Sequence, residues 1–313
     1  MKVALKGSQS VYHEGEIIPL EIAFTSKTYE NFIIDMRGYA HDLVVLDYFC
    51  VDPAGSDPLE DYFESGVYTV WACCGLGGLQ PWHTAPPVLN AELNEWQALK
   101  PGNYKLRIVS YRVGSPGESG LRGSIPVVSN TVSFQVVTAS PEWQAEQLAH
   151  ASSVLDAKHD LLTSAEFEEI QHAMRVLRFL GSEAATRELA RRFWFHDQPR
   201  QPPQLEHPAP YPDYDQFRLD TSLWDFKFGL IGSPHHEVAI QELASAINDP
   251  RHPATRQMVE TLALLEIQSK PEYDRLMPYD GIQPDERGKR QRAKRAAYDQ
   301  IVDALSKQVA SKR

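Results

Sequence analysis

The chain has 313 residues, 42% of them hydrophobic and 23% charged, with a formal net charge of −11. That length is one at which single cores usually give way to two domains, and the composition is ordinary for a globular protein with ample material for real cores. The acidic balance argues against general nucleic-acid or anionic-membrane binding, and no apolar run approaches the roughly 20 residues of a membrane span. Met1 through Glu16 lack the apolar stretch of a secretory signal and run directly into a first strand.

The hydrophobic period is about two residues as far as Thr138 and changes at Ala139-Ser140-Pro141 to that of a helix. Ile18, Leu20, Ile22 and Phe24 alternate on one face of a half-buried strand, with Pro19 near its beginning. Similar runs recur at Asn31–Met36, Leu43–Val51, Val67–Cys74, Val88–Trp96, Tyr104–Val113 and Val127–Val137. Strands at this spacing predict an antiparallel β-sandwich over 1–138. Pro101-Gly102 is a turn dipeptide, and Tyr104 just behind it fits the tyrosine corner of immunoglobulin-like sandwiches, in which the hydroxyl ties back to the turn. Leu106 stands where antibody domains carry a cysteine, so that framework is absent.

Two irregular stretches lie within this half. Asp52–Ser65 carries Asp52, Asp57, Glu60, Asp61 and Glu64 and is expected to be a solvated loop, since it lacks the ligand spacing of a calcium site. Gly75–Pro87 is rich in glycine and proline, but no helix follows to hold a phosphate, so a hairpin loop is expected. Cys50 could bridge to Cys73 or Cys74, or all three could stay as thiols. Cys73, Cys74 and His83 are not expected to form a metal set, because adjacent cysteines rarely chelate one ion.

From Ser140 onward, caps and stripes mark helices. Ser140-Pro141-Glu142 starts one that runs to about Asp156. Thr163-Ser164-Ala165-Glu166 is a capping box leading into Phe167, Ile170, Met174, Leu177 and Leu180, and Gly181 stops that helix. Ser182 caps the next, through Ala185, Leu189 and Phe193. A Gly-Ser break recurs at Gly232-Ser233, with Pro234 read at the first helical position and Asp249-Pro250 at the end. A further helix spans Ala254 to about Gln268 with Met258, Leu262 and Leu265 inward. A terminal helix carries the basic run Arg287, Lys289, Arg290, Arg292, Lys294 and Arg295. From Asp285 onward the balance is about +5, against about −16 for the remainder. No aromatic platform interleaves that run, so a solvated helix is expected there in preference to a nucleic-acid contact.

Leu-Gly-Ser followed by a helix with Glu-Leu-Ala (Leu180–Ser182 with Glu188–Ala190) resembles HEAT-like helical repeats, as does the Gly232-Ser233 break with Glu242–Ala244. With the preceding sandwich, which ends in Val128–Phe134, the whole resembles uncharacterised exported bacterial proteins. The resemblance implies an immunoglobulin-like β-sandwich over 1–138 and a short HEAT-like array over 140–313. It also implies a protein-interaction role and an extracytoplasmic location, and it brings no catalytic residue to any position.

Between the repeat units, 196–220 is a Pro/Tyr-rich insertion with Tyr211 and Tyr214, expected as a polyproline-type crossing. With Trp194 and Trp224 on its flanks it defines the candidate partner-binding surface: Trp194, Tyr211, Tyr214 and Trp224. His235-His236 diverge on a helix and cannot share a metal in the way an i, i+4 pair does. His41-Asp42 lacks an assignable nucleophile. The expected function is therefore non-catalytic protein binding or scaffolding, with no cofactor or metal. The competing class is a carbohydrate-active enzyme or sugar-binding module using Trp82, Trp96 and the acids of 57–64. A third is a proteinase-inhibitor-like sandwich with a rigid loop.

Overall fold

Ile18, Leu20, Ile22 and Phe24 are all buried, as their alternation requires. The computed structural model describes residues 1–28, 31–36, 46–64, 79–81, 87–115, 124–157, 161–162, 164–196, 204–205, 224–249, 254–270 and 284–311. Strands occupy the first part of the chain, and seven helices lie in its second half among the described residues. Two compact units result: Met1–Asp57 with Thr69–Ala139, and Pro58–Tyr68 with Ser140–Arg313.

The first unit contains β1 (Lys2–Leu5), β2 (Val11–His13), β3 (Pro19–Ala23), β4 (Ile33–Asp35), β5 (Asp47–Asp52), β6 (Leu79–Pro81), β7 (Val88–Glu92), β8 (Gly102–Gly114), β9 (Ser124–Val128) and β10 (Val132–Val137). One antiparallel sheet has the order β1-β3-β7. The other runs β2-β10-β8-β4-β6 and is organised by β8. At 13 residues, β8 is long enough to pair β10 and then β9 along one edge, and β5 and then β4 along the other. The β2–β10 pairing is parallel. Tyr104, Leu106 and Ile108 alternate inward from β8 into a core shared with Leu20, Ile22, Leu89, Phe134 and Val136.

Two asparagines fasten chain ends that the ladders leave open. Asn130 accepts from the Val3 amide at 2.9 Å and donates to the Val3 carbonyl at 3.0 Å. Asn94 does the same for Ile18 and the Glu16 carbonyl, at 2.7 and 2.9 Å. Tyr104 stacks on Phe134, and its hydroxyl donates to the Lys100 carbonyl at 2.6 Å, tying the strand back to the Pro101-Gly102 turn.

The run Val127–Val137 is not one strand. It breaks after Val128, where Ser129 Oγ accepts from the Ile108 amide at 2.9 Å and Asn130 turns toward Val3. The run Val88–Trp96 likewise ends as strand at Glu92, and Leu93–Glu95 form a 3₁₀ turn. The run Val67–Cys74 lies outside the described residues, as do Cys73, Cys74, His83 and His41-Asp42. Cys50 bears a free thiol among the described residues, which do not include its candidate partners Cys73 and Cys74.

The second unit contains α1 (Glu60–Glu64), α2 (Pro141–Asp156), α3 (Ser164–Phe179), α4 (Glu183–His196), α5 (residues 224–231), α6 (His236–Asn248), α7 (Arg256–Gln268) and α8 (Pro284–Ala310). Ser140 Oγ accepts from the Trp143 amide at 3.2 Å, Ser182 Oγ from Ala185 at 3.2 Å and Thr255 Oγ1 from Met258 at 3.2 Å, so each cap satisfies an orphan donor of its helix. Gly181 has φ +62, a left-handed conformation in which a side chain is strained, and it ends α3. Helices α2, α3 and α4 pack in succession, then α4 on α6, α6 on α7 and α7 on α8. Met174, Leu177, Leu189, Phe193, Phe226, Leu243, Met258 and Leu262 form the common core.

Three details differ from expectation. The acidic stretch after Asp57 is not a solvated loop throughout. Leu59 and Tyr62 are buried against Ile231 and Leu264, and that apolar pair draws Glu60–Glu64 into a helical turn of the second unit. Pro234 precedes the cap instead of opening the helix, because Ser233 Oγ accepts from the His235 amide at 3.0 Å and α6 begins one residue later. Within the insertion, Gln204–Leu205 pair in parallel with Leu161–Leu162, so this part of 196–220 is bridged strand and not polyproline. The two Gly-Ser breaks are linked through Thr186 of α4, whose Oγ1 lies 3.1 Å from the Ser182 carbonyl and 2.6 Å from Ser233 Oγ, both hydroxyls being buried.

Candidate functional site

Helix α5 projects aromatic and charged side chains from adjacent turns. Phe226 and Leu230 are buried in the helical core, which leaves Trp224, Lys227 and Phe228 on a neighbouring face at i, i+3 and i+4. Trp224 and Phe228 lie 5.4 Å apart between ring centroids. Phe228 meets Phe63 at 5.7 Å and Tyr62 at 5.8 Å, and Tyr62 meets Phe63 edge-on at 4.8 Å. Four rings from α1 and α5 thus form one cluster, at separations where aromatic quadrupoles attract.

Two cations enter it on different terms. Arg178 of α3 bridges Asp225 at 3.0 Å, with its side chain 5% exposed, and its guanidinium lies 5.3 Å from the Phe228 ring centre. Lys227 has its Nζ 5.6 Å from the Tyr62 centroid and 5.1 Å from that of Trp224. Burial pushes the Lys227 amine below its ordinary basicity, and the charge of Glu260 opposes this only in part. Glu260 is itself held by Arg256 Nε at 2.6 Å. Burial and then the charge of Glu260 push the Tyr298 phenol up to about 12.

Of the four residues predicted to bind a partner, Trp224 is in this cluster. Trp194 lies within α4, but its side chain is outside the described residues, as are Tyr211 and Tyr214. Trp96, one of the aromatics of the sugar-binding alternative, stacks on Phe49 at 5.6 Å and packs against the sandwich core. Glu60 and Glu64 belong to the other unit, and Trp82 is outside the described residues. His236 Nε2 lies 3.0 Å from the Ile231 carbonyl, a local bond at the α5–α6 junction. No group of three or more His, Cys, Asp or Glu side chains among the described residues is placed to hold a metal ion.

A second feature, absent from the sequence reading, is the outer face of the larger sheet. Register places Tyr48 opposite Val109 and Val109 opposite Val128, so all three point outward. Tyr48 and Val128 are each 53% exposed and Tyr111 is 36% exposed. The two tyrosine rings meet edge-on at 5.8 Å. On the opposite face Arg112 continues the inward alternation of Tyr104, Leu106, Ile108 and Ser110, and the β8 irregularity between Ser110 and Val113 buries Val113 beside it. There Arg112 Nε donates to Asp47 Oδ2 at 2.5 Å and Nη1 to the Asp35 carbonyl at 3.0 Å. Asp47 Oδ1 is buried without a hydrogen-bond partner among the described residues.

Comparison with models of known protein families, with characterised proteins and with solved structures found no match to this chain.

Proposed function

We propose that this chain is a non-catalytic binding or scaffolding protein of the bacterial cell envelope, with an immunoglobulin-like sandwich ahead of a short HEAT-like helical array. The sandwich reading is supported by two antiparallel-built sheets over one core, by the parallel β2–β10 edge and by the Tyr104 hydroxyl bond to Lys100. The array reading is supported by helices that pack in chain order and by Thr186, which links the Ser182 carbonyl to Ser233 of the second break.

One observation carries the binding role. Tyr48, Tyr111 and Val128 form an exposed apolar patch on a sheet whose neighbouring outward positions, Asn103, Lys105 and Arg107, are polar. Aromatic side chains on a rigid strand surface contribute strongly to association because little rotamer freedom is lost on contact. Affinity capture with mass spectrometry, run in parallel on the native chain and on Tyr48→Ser/Tyr111→Ser, tests this. Loss of specific partners with unchanged circular dichroism is expected, and identical partner sets would refute it. The same comparison with Trp194→Ala/Tyr214→Ala tests the helical groove.

A further inference from the structure

Lys227 differs from three buried arginines among the described residues. Arg112, Arg178 and Arg192 each meet a carboxylate, at 2.5, 3.0 and 2.6 Å. The Lys227 ammonium is half-buried and, among the described residues, makes neither a hydrogen bond nor an ion pair. Its close neighbours are the Tyr62 and Trp224 ring faces. Ring faces attract a cation but take no proton from it. The acid whose charge reaches it, Glu260, is already bridged to Arg256.

From this geometry we propose that Lys227 is a carbonyl-capturing amine, which forms an imine with a flat aromatic aldehyde stacked against the half-buried Trp224 and Phe228. The free amine lone pair attacks the carbonyl carbon, and the C=O π pair moves to oxygen, which takes a proton. The resulting carbinolamine expels its hydroxyl together with the remaining nitrogen proton, as one water, while C=N forms. The balance is amine plus aldehyde to imine plus water, with no change of oxidation state. The ammonium must first release a proton to solvent, and burial of the group favours that release. The proposal is independent of the sheet-face binding role.

The test uses the full chain at neutral pH with limiting pyridoxal, borohydride trapping and peptide mass spectrometry. Lys227 is expected to be modified several-fold faster than the exposed Lys105 and Lys289. It should hold a larger lead with pyridoxal than with acetaldehyde, which has no ring to stack. Labelling of Lys227 at or below the rate of Lys105 would overturn the reactive amine. An equal lead with both aldehydes would overturn the aromatic ligand class. Loss of the modified peptide in Lys227→Met confirms the assignment of the signal.

Discussion

Gly229 sits inside α5, where a Cβ would lie 2.8 Å from Leu189 Cδ1, 3.0 Å from Leu189 Cδ2 and 3.3 Å from the Arg178 Cα. Leu189 is buried in the helical core and Arg178 presents backbone, so neither can move aside cheaply. Overpacking of this kind costs about 1–3 kcal/mol, while replacing a mid-helix glycine by alanine returns up to about 1 kcal/mol of helix propensity. Gly229→Ala is therefore expected to destabilise the second unit by roughly 1–2 kcal/mol, a fall of about 2–8 °C in midpoint for a unit of this size. Gly288 in α8 is the control. The nearest atom to a Cβ there is Arg292 Nη1 at 3.3 Å, the free end of a flexible side chain. Gly288→Ala should raise stability by about 0.5–1 kcal/mol from propensity and a narrower unfolded ensemble. Urea unfolding followed by circular dichroism reads both. A neutral or stabilising Gly229→Ala would show that α5 does not approach α3 and α4 as closely as described.

Removing Arg112 strands the Asp47 carboxylate inside the sandwich, so Arg112→Met should cost about 3–5 kcal/mol in urea unfolding. The double change with Asp47→Leu should recover most of that loss, and equal instability of single and double variants would refute the pairing. Tyr298, pushed up to about 12 from an unfolded value near 10, contributes stability that is complete below pH 10 and lost as pH rises toward 12. After discount for its partial exposure that contribution is about 1–2 kcal/mol. Absorbance titration at alkaline pH should show one late phenol, and Tyr298→Phe should abolish it and flatten the alkaline decline in stability.

Local chemistry announced much of this architecture. Ser140, Ser182 and Gly181 act within one helical turn of themselves, and Ile18 through Phe24 need only a pleat to sort inward from outward. Tyr104 could be read because its acceptor, Lys100, lies four residues away. Leu59 and Tyr62 could not, since their partners Ile231 and Leu264 are remote in the chain and the intervening acids mask a two-residue apolar face. Lys227 was equally silent: its setting depends on Tyr62, and nothing in Trp-Asp-Phe-Lys-Phe declares that its ammonium will meet ring faces and no acceptor among the described residues. The outward tyrosines became a patch only when register put Tyr48 beside Val109 and carried Tyr111 next to it.

Residues 58–68 leave the strand portion of the chain to complete the helical one, and the chain then returns to its strands. Neither half can accordingly be excised by a single cut. A fragment starting at Ser140 would expose Ile231 and Leu264 to water and be prone to clumping, whereas one ending at Ala139 would carry an orphan amphipathic turn. During synthesis the same detour makes an early-emerging segment wait for partners translated far later, so its burial cannot precede the emergence of Ile231 and Leu264.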